Sequence, residues 1–386
     1  MDHVIPPHRP QKGRLDFIDG LRGLAIVFVL LFHAFSRWPK LYVYGNKFVG
    51  NPLFDTNRAG VNLFFIISGF VILMTLRKSR SLSDFLVRRW YRLFPAMLVC
   101  SVLILATSGL FPERPRGEIG FWDMLPGLTF IGDGIGSHHV WDALAGYIGT
   151  PVSSIEEAFW SLYVEVRFYL VFGAAYFLLG ESAGIGLVLF LFLLSVLSSD
   201  KFLSLKFGSS NVGLYMVARL HQFVAQAGVA DISEFLTSKT YGFFAAGALF
   251  FRFYTTQRMG YFWLALAAGL LSSFSVSKAV GANVGLTLLF GCAMFFDRLK
   301  PVLGNRVLVF IGFISYPLYL LNENMMVAMI VKIGKAFPDM PALLIPVLPM
   351  VVVCGLAWVV AKFIEPATRA FLQLRFKPAV DLPTTG

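Results

Sequence analysis

Apolar runs dominate the chain, each close to the roughly 17–25 residues that an α-helix needs to cross the hydrocarbon core of a bilayer. Ten of them lie at about 18–36, 60–77, 93–111, 155–180, 184–199, 238–255, 259–275, 280–296, 307–332 and 342–364, separated by polar or Gly/Pro-rich breaks. Lipid offers no partner to backbone N–H and C=O groups, so segments of this kind must be helical. Only 14% of the 386 residues are charged and 57% are hydrophobic, with a mean hydropathy of +0.70; soluble domains carry about 25% charge. A soluble fold is excluded. The expected class is all-α, a polytopic membrane bundle of about ten transmembrane helices, with room for a further apolar segment near 119–135 or 212–228.

Ten crossings place both termini on one side, and the basic residues indicate which. With the N-terminus inside, 19 lysines and arginines fall in cytoplasmic segments and 12 in longer outer ones. That bias predicts an N-in/C-in arrangement. The formal charge of +11 is then a topology signal facing membrane lipids, and no nucleic-acid partner is expected. Cys100, Cys292 and Cys354 sit in apolar runs as small core residues. The organisation expected is a cytoplasmic N-terminal segment over 1–17, a membrane domain over 18–370 and a cytoplasmic tail over 371–386. Of the outer segments, 112–154 mixes Trp122, Asp123, His138, His139, Trp141 and Asp142, residues that can anchor an interface or bind carbohydrate. The other, 200–237, reads as an interfacial helix.

Within this background a few polar residues sit where polarity is costly. Arg22 and His33 bracket the run Gly23 to Phe32. Eleven residues of helix turn through about 1100°, so the two share a face about 16 Å apart along the axis. A neutral imidazole at that depth can do general acid/base work or bond between helices. Asp19, three residues before Arg22, can hold the arginine or cap the helix. Arg88, Arg89 and Arg92 form a basic face ahead of the third run and can converge on a multiply charged anion such as phosphate. Glu157, Ser161 and Glu165 recur every four residues, with Trp160 and Tyr169 nearby. At its depth Glu165 can orient His33, bind an acceptor hydroxyl or pair with Arg167 or Lys239. Ser315, Tyr316, Tyr319 and Asn322, or Glu323, give the ninth run a polar stripe, with Pro317 expected to bend it. No metal-ligand spacing is present, and no permanently bound cofactor is expected.

The ordered fragments LDFIDGLRGLAIVFVLLFHAF, GVNLFFIISGFVIL, FLVRRWYRLFP, WSLYVEVRFY, GFISYPLYLLN and FIEPATR resemble the acyltransferase-3 family of bacterial integral-membrane O-acyltransferases. The resemblance implies transfer of an acyl group, often acetyl from acetyl-CoA, to a hydroxyl of a sugar or lipid-linked glycan at the bacterial cytoplasmic (inner) membrane. His33 corresponds to the family's essential histidine and Glu165 to its glutamate. Arg22, Arg88, Arg89 and Arg92 would face the phosphates of the acyl-CoA co-substrate. Trp160, Ser161, Tyr169, Ser315, Tyr316, Tyr319 and Asp19 would support the site. The chain ends soon after its last run and so is expected to be the membrane domain alone. Asn322 stands where the family usually has histidine, and an amide cannot shuttle a proton near neutral pH. Two other classes remain open: a transporter or flippase of a lipid-linked saccharide, and an inactive sensor or scaffold.

Overall fold

The computed structural model describes residues 15–132, 138–197, 238–276 and 278–375. The N-terminal 14 residues, the tail from 376 and the expected helix within 200–237 lie outside them. Helix accounts for 78% of the described residues, and no strand occurs among them. The long helices are α1 (Asp16–Phe35), α2 (Gly60–Leu76), α3 (Leu82–Ala106), α4 (His138–Ile148), α5 (Trp160–Leu179), α6 (Glu181–Leu197), α7 (Tyr241–Thr256), α8 (Met259–Ser275), α9 (Val280–Phe295), α10 (Arg306–Leu321), α11 (Val327–Ala336), α12 (Val347–Val359) and α13 (Glu365–Arg375).

Among the described residues, helix covers most of each of the ten apolar runs. By length and composition six segments can cross a membrane: Asp16–Phe35, Pro52–Leu76, Leu82–Ala106, Glu157–Leu179, Arg306–Ala336 and Val347–Leu372. The remaining four runs form helices of 16 or 17 residues, at the short end of the crossing range. No further span occurs in 119–132, where a short helix Met124–Thr129 forms instead. Helix α3 starts eleven residues before its apolar run, because Ser81 accepts the Asp84 N–H at 3.2 Å and caps it there. The basic face is therefore part of the helix rather than a loop, and Pro95 lies in the helix interior.

Two compact units divide the chain: residues 1–22, 62–79 and 167–309 form one, and 23–61, 80–166 and 310–386 the other. In the first, α7 packs against α6 and α8, and α8 against α9. The core is a ladder of phenylalanines: the Phe244 ring stacks 4.2 Å from Phe168 and 4.7 Å from Phe65, and Phe250 lies 5.2 Å from Phe290. Lipid tails are as apolar as these side chains, so close packing must hold such helices together. Glycines allow it. A Cβ on Gly69 would lie 1.9 Å from the Phe244 carbonyl oxygen, and one on Gly247 1.9 Å from that of Ile66. Backbones of α2 and α7 thus touch without side chains between them.

In the second unit α3 packs against α13 and the segment 360–364. Helix α10 continues through Pro317 and leaves α geometry only at Asn322–Met326, a π-helical turn that leads into α11. A second such turn, Val360–Ile364, joins α12 to α13. π-turns inside helices occur often at functional sites.

Candidate functional site

The last turns of α1 carry His33 into the second unit, where its surroundings come from four stretches of sequence. His33 is 7% exposed, and its Nδ1 is hydrogen-bonded to Asn322 Oδ1 on the π-turn. The Asn322 Nδ2 donates to the carbonyls of Leu318 at 3.2 Å and Tyr319 at 2.7 Å. A single helix turn thus grips the amide and aims it at α1.

The end of α1 is unusually well tied. The last carbonyls of a helix have no intrahelical donor, yet the Tyr42 hydroxyl donates to the His33 carbonyl and the Tyr44 hydroxyl to that of Ala34. The two rings stack 4.8 Å apart. Burial holds both phenols above their ordinary value near 10, with the Tyr44 hydroxyl adding to the effect at Tyr42. The folded chain therefore keeps these protons longer than the unfolded one. Their contribution to stability is complete below about pH 10 and falls as pH climbs above it, toward the raised values of the folded chain. A Tyr42→Phe, Tyr44→Phe variant is expected to lose about 1–3 kcal/mol at neutral pH through the orphaned carbonyls. It should also lose the alkaline part of the stability curve, as thermal unfolding in detergent between pH 7 and 11 will show.

Three consecutive polar residues, Asn322, Glu323 and Asn324, are each 1% exposed or less. Glu323 Oε2 accepts the Ala158 N–H at 2.5 Å, and Glu323 Oε1 lies 3.8 Å from Arg37 Nε. The same guanidinium donates to Glu157 at 2.6 Å and lies 4.7 Å over the Trp38 ring. Asn324 donates through its N–H to Glu156 Oε1 at 3.0 Å and through Nδ2 to the Ile155 carbonyl at 3.3 Å. Ala158 is held from both sides, because the Tyr319 hydroxyl donates to its carbonyl at 2.5 Å. That commits the tyrosine proton, so the Ser161 hydroxyl donates to Tyr319 at 2.7 Å. The turn 157–159 and the π-turn form one hydrogen-bonded block behind His33.

The sequence-predicted residues divide accordingly. His33, Asn322, Ser161 and Tyr319 come together. The carboxylates whose charge reaches the imidazole are Glu323 and Glu157, opposed by Arg37. Glu165, expected to serve His33, instead stands a turn beyond Ser161 on α5 and contributes to the surroundings of Tyr316 and Tyr319. The reason is helical rise: four residues carry it about 6 Å further along α5. Tyr316 donates to the Leu93 carbonyl at 3.0 Å, tying α10 to α3. Ser315 is buried on α10, Trp160 is exposed on α5, and Tyr169 is buried in the first unit.

Each arginine of the basic face has a neighbour within the protein. Arg88 Nε donates to Asp84 at 2.7 Å, Arg92 Nη1 lies 3.5 Å from Glu365 on α13, and Arg89 sits 5.8 Å from the Phe85 ring. Glu365 also takes Arg369 at 2.7 Å. In the first unit Arg22 donates to Asp19 at 3.2 Å. In the segment 112–154 Asp123 accepts backbone N–H groups of Gly120 and Ser153, and Trp141 donates to the Gly132 carbonyl. Both fold the loop. The side chains of His138 and His139 lie outside the described residues.

Sequence reading missed Arg37, Tyr42 and Tyr44, which lie in a connecting segment with no periodicity to mark them, and it missed Asn324 and Glu156 as well. Asn324 and Glu156 did carry a signal, since each adjoins a residue that had been noticed.

A family model described as an acyltransferase domain, Acyl_transf_3, matches residues 15–362. Among curated proteins the chain is similar to the peptidoglycan O-acetyltransferase OatA of Listeria monocytogenes, 29% identical over 165 residues, 41% of this chain and 23% of OatA. It is similar to the acyltransferase MdmB of Streptomyces mycarofaciens, 28% identical over 169 residues, 42% of this chain and 39% of MdmB. It also resembles nodulation protein 10 of Rhizobium leguminosarum, 33% identical over 111 residues, 27% of this chain and 29% of that protein. The alignments thus span between about a quarter and two fifths of these relatives' lengths. No solved structure matches the chain significantly.

Proposed function

The chain belongs to the Acyl_transf_3 family of acyltransferase domains, and from that premise we propose that it is an acyl-CoA-dependent O-acyltransferase of a bacterial inner membrane. The acyl group is acetyl and the acceptor is a sugar hydroxyl of a surface or exported glycan. The name of OatA supports acetyl transfer to a glycan, and that of MdmB supports acyl transfer. The observation that carries the reading is a buried histidine held by a hydrogen bond at one ring nitrogen, with a buried carboxylate on the next residue of its partner's turn.

In the proposed reaction His33 takes the proton of the acceptor hydroxyl as its oxygen attacks the thioester carbonyl. The C–O bond forms, the C–S bond breaks, and the proton returns from the imidazolium to the leaving thiolate. The negative charge of Glu323 favours the imidazolium while it exists. Arg88, Arg89 and Arg92 are assigned to the donor's phosphates, which would compete with Asp84 for Arg88 and with Glu365 for Arg92. Glu165, Trp160, Ser161, Ser315, Tyr316 and Tyr319 support the acceptor side of the second unit. Ten crossings with both termini in the cytoplasm put the donor inside and the acceptor outside.

Purified protein in nanodiscs, given acetyl-labelled acetyl-CoA, is expected to release free coenzyme A and to label an added saccharide acceptor. Mass spectrometry of surface glycans with and without the gene should show loss of acetyl groups while the glycan itself is still exported. Loss of the whole glycan from the surface, with no acetyl transfer by the purified protein, would instead indicate a saccharide transporter.

A further inference from the structure

A neutral imidazole carries its proton on one of two nitrogens, and only the other can act as base. Which one is free at His33 follows from Asn322. The amide Nδ2 faces two carbonyl oxygens, those of Leu318 and Tyr319. Turning the amide over would set its oxygen against both of them, so the oxygen must face α1. There it meets His33 Nδ1. Two acceptors cannot share a hydrogen bond, and Nδ1 therefore bears the proton. We infer that Asn322 is a positioning residue that fixes His33 in the Nδ1–H tautomer and leaves Nε2 as the atom that takes the acceptor's proton.

This assignment deepens the acyl-transfer reading and rests on it for the role of Nε2, whereas the tautomer itself does not. It explains how a chain can dispense with a second histidine at position 322. An amide cannot move a proton, but it can decide where one sits. The hold is firm on both sides, since the Tyr42 hydroxyl anchors the His33 carbonyl and the Asn322 amide is locked within its own turn. A histidine in the wrong tautomer costs up to about 10⁴-fold in the serine-protease triad, so the orientation of one amide can govern the rate.

The test is the ring's own spectrum. The full chain, labelled with 15N-histidine and held in nanodiscs at mildly alkaline pH, is examined by solid-state NMR, with the His33 signals identified by their loss in His33→Gln. The wild-type ring should carry its proton at Nδ1. Asn322→Leu, which removes the acceptor, should redistribute the proton toward Nε2 and lower kcat roughly tenfold or more, with the acetyl-CoA KM within about twofold. Asn322→Ala also removes the oxygen that faces Nδ1; it should shift the proton in the same direction and serves if the leucine variant does not fold. A wild-type ring protonated at Nε2 overturns the inference, as does an Asn322→Leu protein with unchanged tautomer and kcat. A ring protonated at Nδ1 in a protein that transfers no acetyl group upholds the part played by Asn322 and sinks the acyl-transfer reading.

Discussion

Replacing His33 with alanine is expected to lower acetyl transfer at least about a hundredfold, the lower end of what a positioned general base contributes. The effect should fall on kcat, because the donor's phosphates are assigned to arginines elsewhere and the imidazole is needed only when the hydroxyl loses its proton. Stability should change far less. The substitution leaves the Asn322 oxygen without a donor, a cost of about 1–3 kcal/mol, while the Tyr42 and Tyr44 bonds run to backbone carbonyls and survive the change. Thermal unfolding and coenzyme A release measured on the same preparation separate the two effects. Transfer at the wild-type rate by a folded His33→Ala protein would remove the observation on which the proposed chemistry stands.

The second large effect concerns the fold. Gly247→Leu, or Gly69→Leu, is expected to prevent folding, and the alanine variants to lose about 1–3 kcal/mol or more by overpacking. Each added Cβ would lie 1.9 Å from a carbonyl oxygen of the facing helix, and that oxygen belongs to backbone and cannot swing aside. The helices would have to separate, opening the phenylalanine ladder around Phe244. Gly186 provides the contrast, since nothing lies within 4 Å of a Cβ built there. Gly186→Ala should be neutral or gain up to about 1 kcal/mol from helix propensity. Yields of monodisperse protein and unfolding temperatures in detergent check all three. Equal tolerance of alanine at 247 and 186 would mean that close backbone approach does not limit this unit.

The contrast between the two predictions follows from how each site is encoded. Glycines at helix crossings are invisible as a pattern, because sequence shows that a residue is small without showing what approaches it. The same holds for charge. Arg88, Arg89 and Arg92 looked convergent from their spacing, yet the structure gives Arg88 to Asp84 one turn earlier and Arg92 to Glu365, 273 residues away. Glu165 looked like the carboxylate for His33 because it lies deep in an apolar run. The carboxylates whose charge reaches the imidazole include Glu323, which helical periodicity offered only as an alternative to its neighbour. Successive residues of an α-helix diverge by about 100°, so Asn322 and Glu323 were not expected to serve one site; the widened π-turn lets both face inward.

What the sequence determined by itself was the solvent and the class of fold. Apolar runs of bilayer length leave the backbone no option but helix, and a histidine within the first of them, in the company of ordered fragments along the chain, pointed to the family and to His33. What only the tertiary structure decided was what His33 touches. Its partners, Asn322 on the ring and Tyr42 on the carbonyl, are 289 and 9 residues away. One is placed by a local irregularity in a helix and the other by a turn without periodicity. Hydrophobic patterning is read along the chain because solvent acts on every residue alike. A directional hydrogen bond depends on where two particular atoms arrive, and that is fixed only when the helices have packed.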